Sequence, residues 1–353
     1  MIKFRELFHK PVVTLSRFKW LTYVFFPITF ILVLRNGINF WGYDKYALEW
    51  VKLWPKPASV FSVENAGNLF LAKILGVESR STWILLHIFL TITFFILLFL
   101  LVSMENIPNH KKRNIYFLIL VSPIPMLLMQ EIGYYDVITM IGSLIFAFRN
   151  DLKIRLLGTV ILCAGNTPQA LVITLLFGLF LHFMSFPSKK FDFKVFAPFI
   201  FASTIWILER LWLSGLGRVS EYNYGQWSYS FKGFLIASPL FLYALLGPLW
   251  LISFNALDSL QEFKVIKKMK IFFCLLFIPS LFGIFTSDSS RDSLCIMAPM
   301  LFWLIRYLII ERNLIIGYNL KVMMCFAPCY LVWREGQVIS PWSELAKLFF
   351  NNS

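Results

Sequence analysis

The chain reads as an all-α, polytopic integral membrane protein, and three observations carry that reading. Apolar runs of roughly 15–22 residues recur from end to end, the length a helix needs to cross a bilayer core. The composition is 58% apolar, 18% aromatic and only 15% charged, with a mean hydropathy of +0.71. A soluble domain of this size would show amphipathic periods and more charge. Finally, the connections alternate in charge. One set is rich in Lys and Arg, whereas the tightest turns of the other set, 130–136 and 165–169, contain neither. Lys and Arg are retained on the cytoplasmic side, so the alternation predicts a cytoplasmic N-terminus and an acidic outer face. The net charge of +14 is spread over short loops of one polarity. That suits anionic lipid headgroups rather than nucleic acid.

Taken in order, the bases Lys3, Arg5, Lys10, Arg17 and Lys19 place the N-terminal segment on the cytoplasmic membrane surface. No small-residue cleavage site follows, so 20–34 is predicted as a retained first anchor. Residues 35–80 form a large first outer loop. Its Trp41, Trp50 and Trp54, its Pro55/Pro57 break and its apolar stretch 69–75 predict short interfacial helices. The second span is 82–103. Runs 115–129 and 137–148 then form a hairpin flanked by Lys111, Lys112 and Arg113 on one side and Arg149, Lys153 and Arg155 on the other. Its outer tip is Gln130-Glu131-Ile132-Gly133-Tyr134-Tyr135-Asp136, and acids at membrane level are costly and mark sites. A second hairpin, 156–163 and 170–186, turns at Gly165-Asn166-Thr167-Pro168-Gln169 and exits inside at Lys189, Lys190 and Lys194.

Span 195–212 ends in Glu209-Arg210, and an outer loop, 213–236, carries Arg218 and Glu221. Span 237–254 leads to the inner bases Lys264, Lys267, Lys268 and Lys270. Span 271–285, an outer turn holding Asp288, Arg291 and Asp292, and span 294–310 follow. A last run, 314–333, leaves an amphipathic tail, 334–353, outside. The total is about eleven spans, within a range of about 10–12. Several runs are short for a crossing and suit half-helices, which are tolerated where they are buried or line a cavity. No repeat or low-complexity tract divides residues 1–353, so they are predicted as one membrane domain.

The five cysteines all fall in or beside apolar runs without metal-ligand spacing, as small packing residues do. His87 and His182 stand alone in apolar runs and read as core residues. No phosphate-binding loop or metalloprotease spacing is present, so no metal or other cofactor is expected. Asp288 and Asp292 alone do not make a metal site. What remains is the outer face, where this topology gathers Asp44, Glu49, Glu131, Asp136, Asn166, Gln169, Glu209, Arg210, Arg218, Glu221, Asp288, Arg291 and Asp292. Each acid alone reads as a solvated loop residue, a helix cap or an arginine's partner. As a collection, acids beside arginines suit a reaction needing a base and a cation for a developing phosphate. The arginine fork binds two phosphate oxygens at once.

These residues resemble the GT-C superfamily of membrane glycosyltransferases, in particular the branch of bacterial aminoarabinose transferase and protein O-mannosyltransferase. Asp44-Lys45-Tyr46-Ala47 stands where those families carry a catalytic aspartate in a large first outer loop. The following apolar stretch matches Asn68 to Val77. Gln130-Glu131-Ile132-Gly133-Tyr134-Tyr135 is similar to a family Gln-Glu-x-Arg-x-Tyr pattern, with Gly133 at the arginine's place. Arg291 and Pro299 resemble a late arginine followed by a proline-containing helix. The first loop offers one acid where many members have an adjacent pair.

The resemblance implies sugar transfer, with inversion, from a polyprenyl-phosphate donor to an acceptor hydroxyl of a glycan, lipid or protein at the outer face of the inner membrane. It implies Asp44 as base, Arg291 as the phosphate's counter-charge with Arg210 or Arg218, and Glu131 orienting acceptor or sugar. Tyr46, Gln130, Tyr135, Asp136 and Asp288 complete the expected substrate contacts. The outer aromatics Tyr222, Tyr224, Trp227 and Tyr229 would stack on sugars or form an interfacial belt. Two other classes stay open: a transporter or flippase of a lipid-linked envelope precursor, and a non-catalytic scaffold in polysaccharide assembly.

Overall fold

A computed structural model describes residues 35–38, 51, 66–185, 193–215, 231–258, 260, 264–285, 289–332 and 338–339. Within them the chain is helical, apart from one antiparallel pairing of β1 (Leu331–Val332) with β2 (Val338–Ile339). Three helices are long and apolar enough to cross a membrane: Arg80–Ser103, Thr167–Met184 and Ser290–Ile310. A bent pair, Asn109–Val121 with Pro123–Gln130, makes a fourth if counted as one span. The expected first span, 20–34, lies outside the described residues; the other expected runs form helices that are shorter or, like Ala197–Gly215, not apolar enough to count.

Helix α1 (Ala66–Ile74) belongs to the expected first outer loop, and it is docked rather than lying free. Leu69 and Ala72 are buried while Phe70 and Ile74 are exposed. Gly67 lies so close to Ala164 that an added Cβ would sit 2.3 Å from the Ala164 Cβ. Helix α2 (Arg80–Ser103) is capped by Ser79, whose hydroxyl accepts from the Thr82 amide at 3.2 Å. One stripe, Trp83, Leu86, Leu90, Phe94, Leu98 and Leu101, is buried; the opposite stripe, Leu85, Phe89, Ile92, Ile96 and Leu100, is exposed yet equally apolar. Water would select a polar face there, whereas lipid does not.

The run expected as one span at 115–129 is instead two helices, α3 (Asn109–Val121) and α4 (Pro123–Gln130), bent by 48°. The cause is local. Pro123 and Pro125 have no amide to give to the Ile119 and Val121 carbonyls. Ser122 Oγ donates to Ile119 O at 2.6 Å instead, and an Arg35 Nη donates to Val121 O at 3.4 Å.

Helices α5 (Asp136–Phe148) and α6 (Leu152–Gly165) form a tight hairpin. A Cβ on Gly142 would meet the Leu162 backbone nitrogen at 2.9 Å, and one on Gly165 the Thr139 Oγ1 at 2.6 Å. Both helices are about 20 Å long at 1.5 Å per residue, less than a ~30 Å hydrocarbon core. Next come α7 (Thr167–Ser185), α8 (Ala197–Gly215), α9 (Phe231–Leu246) and α10 (Ser253–Asp258). Helix α11 (Val265–Phe272) passes through a π-helical turn, Phe273–Phe277, into α12 (Ile278–Phe285). Helix α13 (Ser289–Ile310) is buried over most of its length against α5, α7, α12 and α3. The expected last span, 314–333, is a correction. Only α14 (Tyr318–Phe326) forms there, because Pro328 follows and the chain continues extended into β1.

The bases between helices have specific partners at one end of the bundle. Lys111 Nζ donates to Ile310 O, the end of α13, at 3.0 Å. Lys112 Nζ reaches Ser103 O at the end of α2 at 2.7 Å, Arg155 Nε the Arg149 carbonyl beyond α5 at 2.8 Å, and Lys267 Nζ the Met184 carbonyl of α7 at 2.6 Å. Each cation thus satisfies the open C-terminal carbonyls of a neighbouring helix and meets the negative end of its dipole. Burial and the nearby Arg312 push the Lys267 ammonium below the usual lysine value. Arg306 makes a two-pronged bond to Glu105 at 2.8 and 3.1 Å.

Candidate functional site: a buried acid–arginine cluster

At the opposite end three helix N-termini meet. Asp136 is the first residue of α5, Arg291 and Asp292 lie in the first turn of α13, and Gln169 lies in the first turn of α7. Asn166 caps α7, its Oδ1 accepting from the Gln169 amide at 2.8 Å. Arg291 ties the three together. Its Nε stands 3.6 Å from Asp136 Oδ2 and its Nη2 3.7 Å from Asp292 Oδ1. Gln169 Nε2 donates to the same Asp292 oxygen at 2.9 Å, and Cys295 Sγ to Asp136 Oδ1 at 3.4 Å. The guanidinium lies over the Tyr134 ring at 4.6 Å and the Tyr135 ring at 5.7 Å, and it donates to Tyr135 Oη at 3.4 Å.

Burial decides how this cluster must behave. Glu131 is 3% exposed, Asp136 1% and Arg291 5%. Every residue from 130 to 136 is buried, so neither acid is a solvated loop residue, and Asp136 is an arginine's partner, one of the alternatives the sequence offered. A charge taken out of water must be compensated. Here Arg291 and the positive ends of three helix dipoles do so for Asp136 and Asp292. Beside them, Thr167 Oγ1 donates to Glu209 Oε1 at 2.8 Å, bringing α8 to the same end of α7.

The loop between α4 and α5 is held from beneath. Trp83 Nε1 donates to Gly133 O at 3.0 Å. The next turn of α2 presents His87, whose Nδ1 bonds to Trp83 O at 2.9 Å while its Nε2 faces Asn68 Nδ2 of α1 at 3.2 Å. With Nδ1 as the donor, Nε2 accepts from the asparagine, so both ring nitrogens are used. Gly133 has φ +117, where a side chain is strained. Gln130 Nε2 donates to the Asn36 carbonyl.

Of the residues expected at a site, the fold brings Tyr135, Asp136 and Arg291 into direct contact and sets Gln130 and Glu131 in the adjoining loop. Arg210 packs over Trp206 on its own helix at 5.4 Å, next in sequence to Glu209. Asp44, Tyr46, Arg218 and Asp288 lie outside the described residues. Gln169 and Asp292, placed on the outer face by the sequence but given no role there, and Tyr134 are as central as the residues that were given one. Asp292 had a signal in its position beside Arg291 in a helix's first turn; the Tyr134 ring under Arg291 had none. Among the described residues no group of three or more His, Cys, Asp or Glu side chains is placed to hold a metal ion. Comparison with known protein families, curated proteins and solved structures yields no match.

Proposed function

We propose that the protein is a polytopic glycosyltransferase of the inner membrane, GT-C-like in fold, working at its outer face. It would move a sugar from a polyprenyl phosphate to an acceptor hydroxyl. The observation that supports this reading is the buried cluster of Asp136, Arg291 and Asp292 beside Glu131, at the end of the bundle opposite the capping lysines. The positive-inside rule puts that end outside. In the proposed step Asp44 takes the proton of the acceptor O–H, the freed oxygen attacks the anomeric carbon, and the bond from that carbon to the phosphate oxygen breaks. Its electron pair leaves with the polyprenyl phosphate. Arg291 stands between Asp136 and Asp292, and Glu131 orients acceptor or sugar. Gly133 replaces the family's arginine where φ is +117, and Arg291, stacked on Tyr134, supplies the cation from another helix.

The test is transfer of label from polyprenyl-phosphate sugars in membranes holding wild type, Asp44→Asn or Glu131→Gln at equal protein level. The expected result is transfer by wild type and a loss of about 100-fold or more in Asp44→Asn, the scale of general-base catalysis. Transfer unchanged by both substitutions would remove the site, and no transfer from any donor would remove the activity.

One observation favours the second reading, a transporter or flippase: the 48° break between α3 and α4, since broken helices with exposed backbone serve substrate binding in transporters. Movement of a labelled lipid-linked precursor across proteoliposomes, without sugar transfer, would select it.

A further inference from the structure

Several cations among the described residues are committed to a carboxylate or to a helix end. Arg291 is shared between two carboxylates, Arg306 is taken by Glu105, and Lys111, Lys112, Arg155 and Lys267 cap helix ends. Arg35 differs. It follows the first apolar run directly, and it is half-buried. Its hydrogen bonds go only to neutral oxygens: Nε to Asn36 Oδ1 at 2.8 Å, Nη1 to Met324 O at 3.1 Å and Nη2 to Val121 O at 3.4 Å. No carboxylate pairs with it among the described residues. A guanidinium has five N–H donors, so these bonds leave two over.

Its neighbour makes the same demand. Asn36 is 0% exposed, and its Nδ2 has no acceptor. The Arg35 Nε bond fixes the amide's oxygen toward the guanidinium, so the NH₂ cannot be turned to use the same partner. A buried donor without an acceptor costs about 1–3 kcal/mol, and a half-buried cation whose bonds reach only neutral oxygens leaves room for a counter-charge. Both demands are met if one oxyanion sits against the pair. Neutral carbonyls alone point the guanidinium, and they also cover the break in the α3–α4 ladder.

We propose that Arg35 and Asn36 form an anion site that takes a phosphate group, monoester or diester, beside the bend between α3 and α4. The fork of the arginine and the amide NH₂ match the several acceptor oxygens of a phosphate. The carbonyl of Asn36, held by Gln130 Nε2, joins this site to the loop of Glu131. The binding does not depend on sugar transfer. If the proposed function holds, the anion is the phosphate of the lipid-linked donor.

The experiment is equilibrium binding to the purified full-length protein, using inorganic phosphate, a short-chain polyprenyl phosphate and the uncharged polyprenol of equal length. The variant is Asn36→Asp, which keeps the acceptor for Arg35 Nε and replaces the NH₂ by a second carboxylate oxygen. The ion pair preserves the fold while it fills the anion's place. Saturable binding of either phosphate, at least tenfold weaker in Asn36→Asp with an unchanged or higher Tm, is expected. Binding of inorganic phosphate marks a site for the free anion; binding of the polyprenyl phosphate alone marks a lipid headgroup. Asn36→Asp binding as wild type does, or the polyprenol binding as tightly as its phosphate, would overturn the proposal. Arg35→Lys is the second variant: it keeps the charge, loses the fork and should bind phosphate more weakly than wild type. Should Asn36→Asp not fold, wild-type affinity in Arg35→Lys overturns the proposal by itself.

Discussion

Gly133 shows how one residue can set the geometry of a whole turn. Its φ of +117 lets the chain pass from α4 to α5 in five residues while its carbonyl meets the Trp83 indole. Replacing it with alanine forces an L side chain into a conformation costing about 1–3 kcal/mol. Gly133→Ala should lower the thermal stability of the detergent-solubilised protein by that amount. Gly317→Ala, at φ −62 with no atom within 4 Å of the added Cβ, should leave it unchanged. Equal melting of the two variants would show that the turn adapts. The residues on either side were legible in the sequence as a cluster of acids and phenols between apolar runs. The conformation of Gly133 was not, because a glycine inside a polar turn carries no sign of its φ.

Helix ends, more than helix faces, organise the elements. Positive charge in the connections was expected to report topology, and in the fold it also closes the open carbonyls of α2, α5, α7 and α13. A charged donor on a helix C-terminus contributes about 1 kcal/mol. Lys111→Met should therefore cost about that much in unfolding free energy, whereas Lys264→Met, at an exposed position with no side-chain cap bond, should cost nothing measurable. Which carbonyl each lysine meets was hidden, since the partners lie in distant segments: Lys111 and Asn313, which it also contacts, are 202 residues apart. The break between α3 and α4 had a visible cause in Ser122-Pro123-Ile124-Pro125, yet the even hydropathy of 115–129 masked it. The short α14 had Pro328 as its signal in the same way.

On the scale of the whole molecule, charge alternation anticipated which residues share an end. Asp136, Gln169, Glu209, Arg291 and Asp292 were grouped on one face by topology alone, and the fold puts them at one end of the bundle. Their burial could not be read, because a turn between two apolar runs looks the same whether it is open or roofed by another helix. Under the proposed orientation the two ends of α2 lie on opposite sides of the membrane, since its 24 residues span about 36 Å. All five native cysteines are buried, so a membrane-impermeant thiol reagent meets little background. Ser79→Cys should label in intact cells and Asn106→Cys only after permeabilisation. The reverse pattern would invert the orientation, and labelling of both in intact cells would deny that α2 crosses.

The ion pair between Asp136 and Arg291 also has a history within each round of synthesis. Arg291 follows Tyr135 by 156 residues, which at ~5–20 residues per second leaves the α5 carboxylate roughly 8–30 s without its cation. During that interval Asp136 is without this partner, and a carboxylate without a counter-charge favours water over its buried place. A chain terminated before α13 would present an uncompensated acid to the membrane.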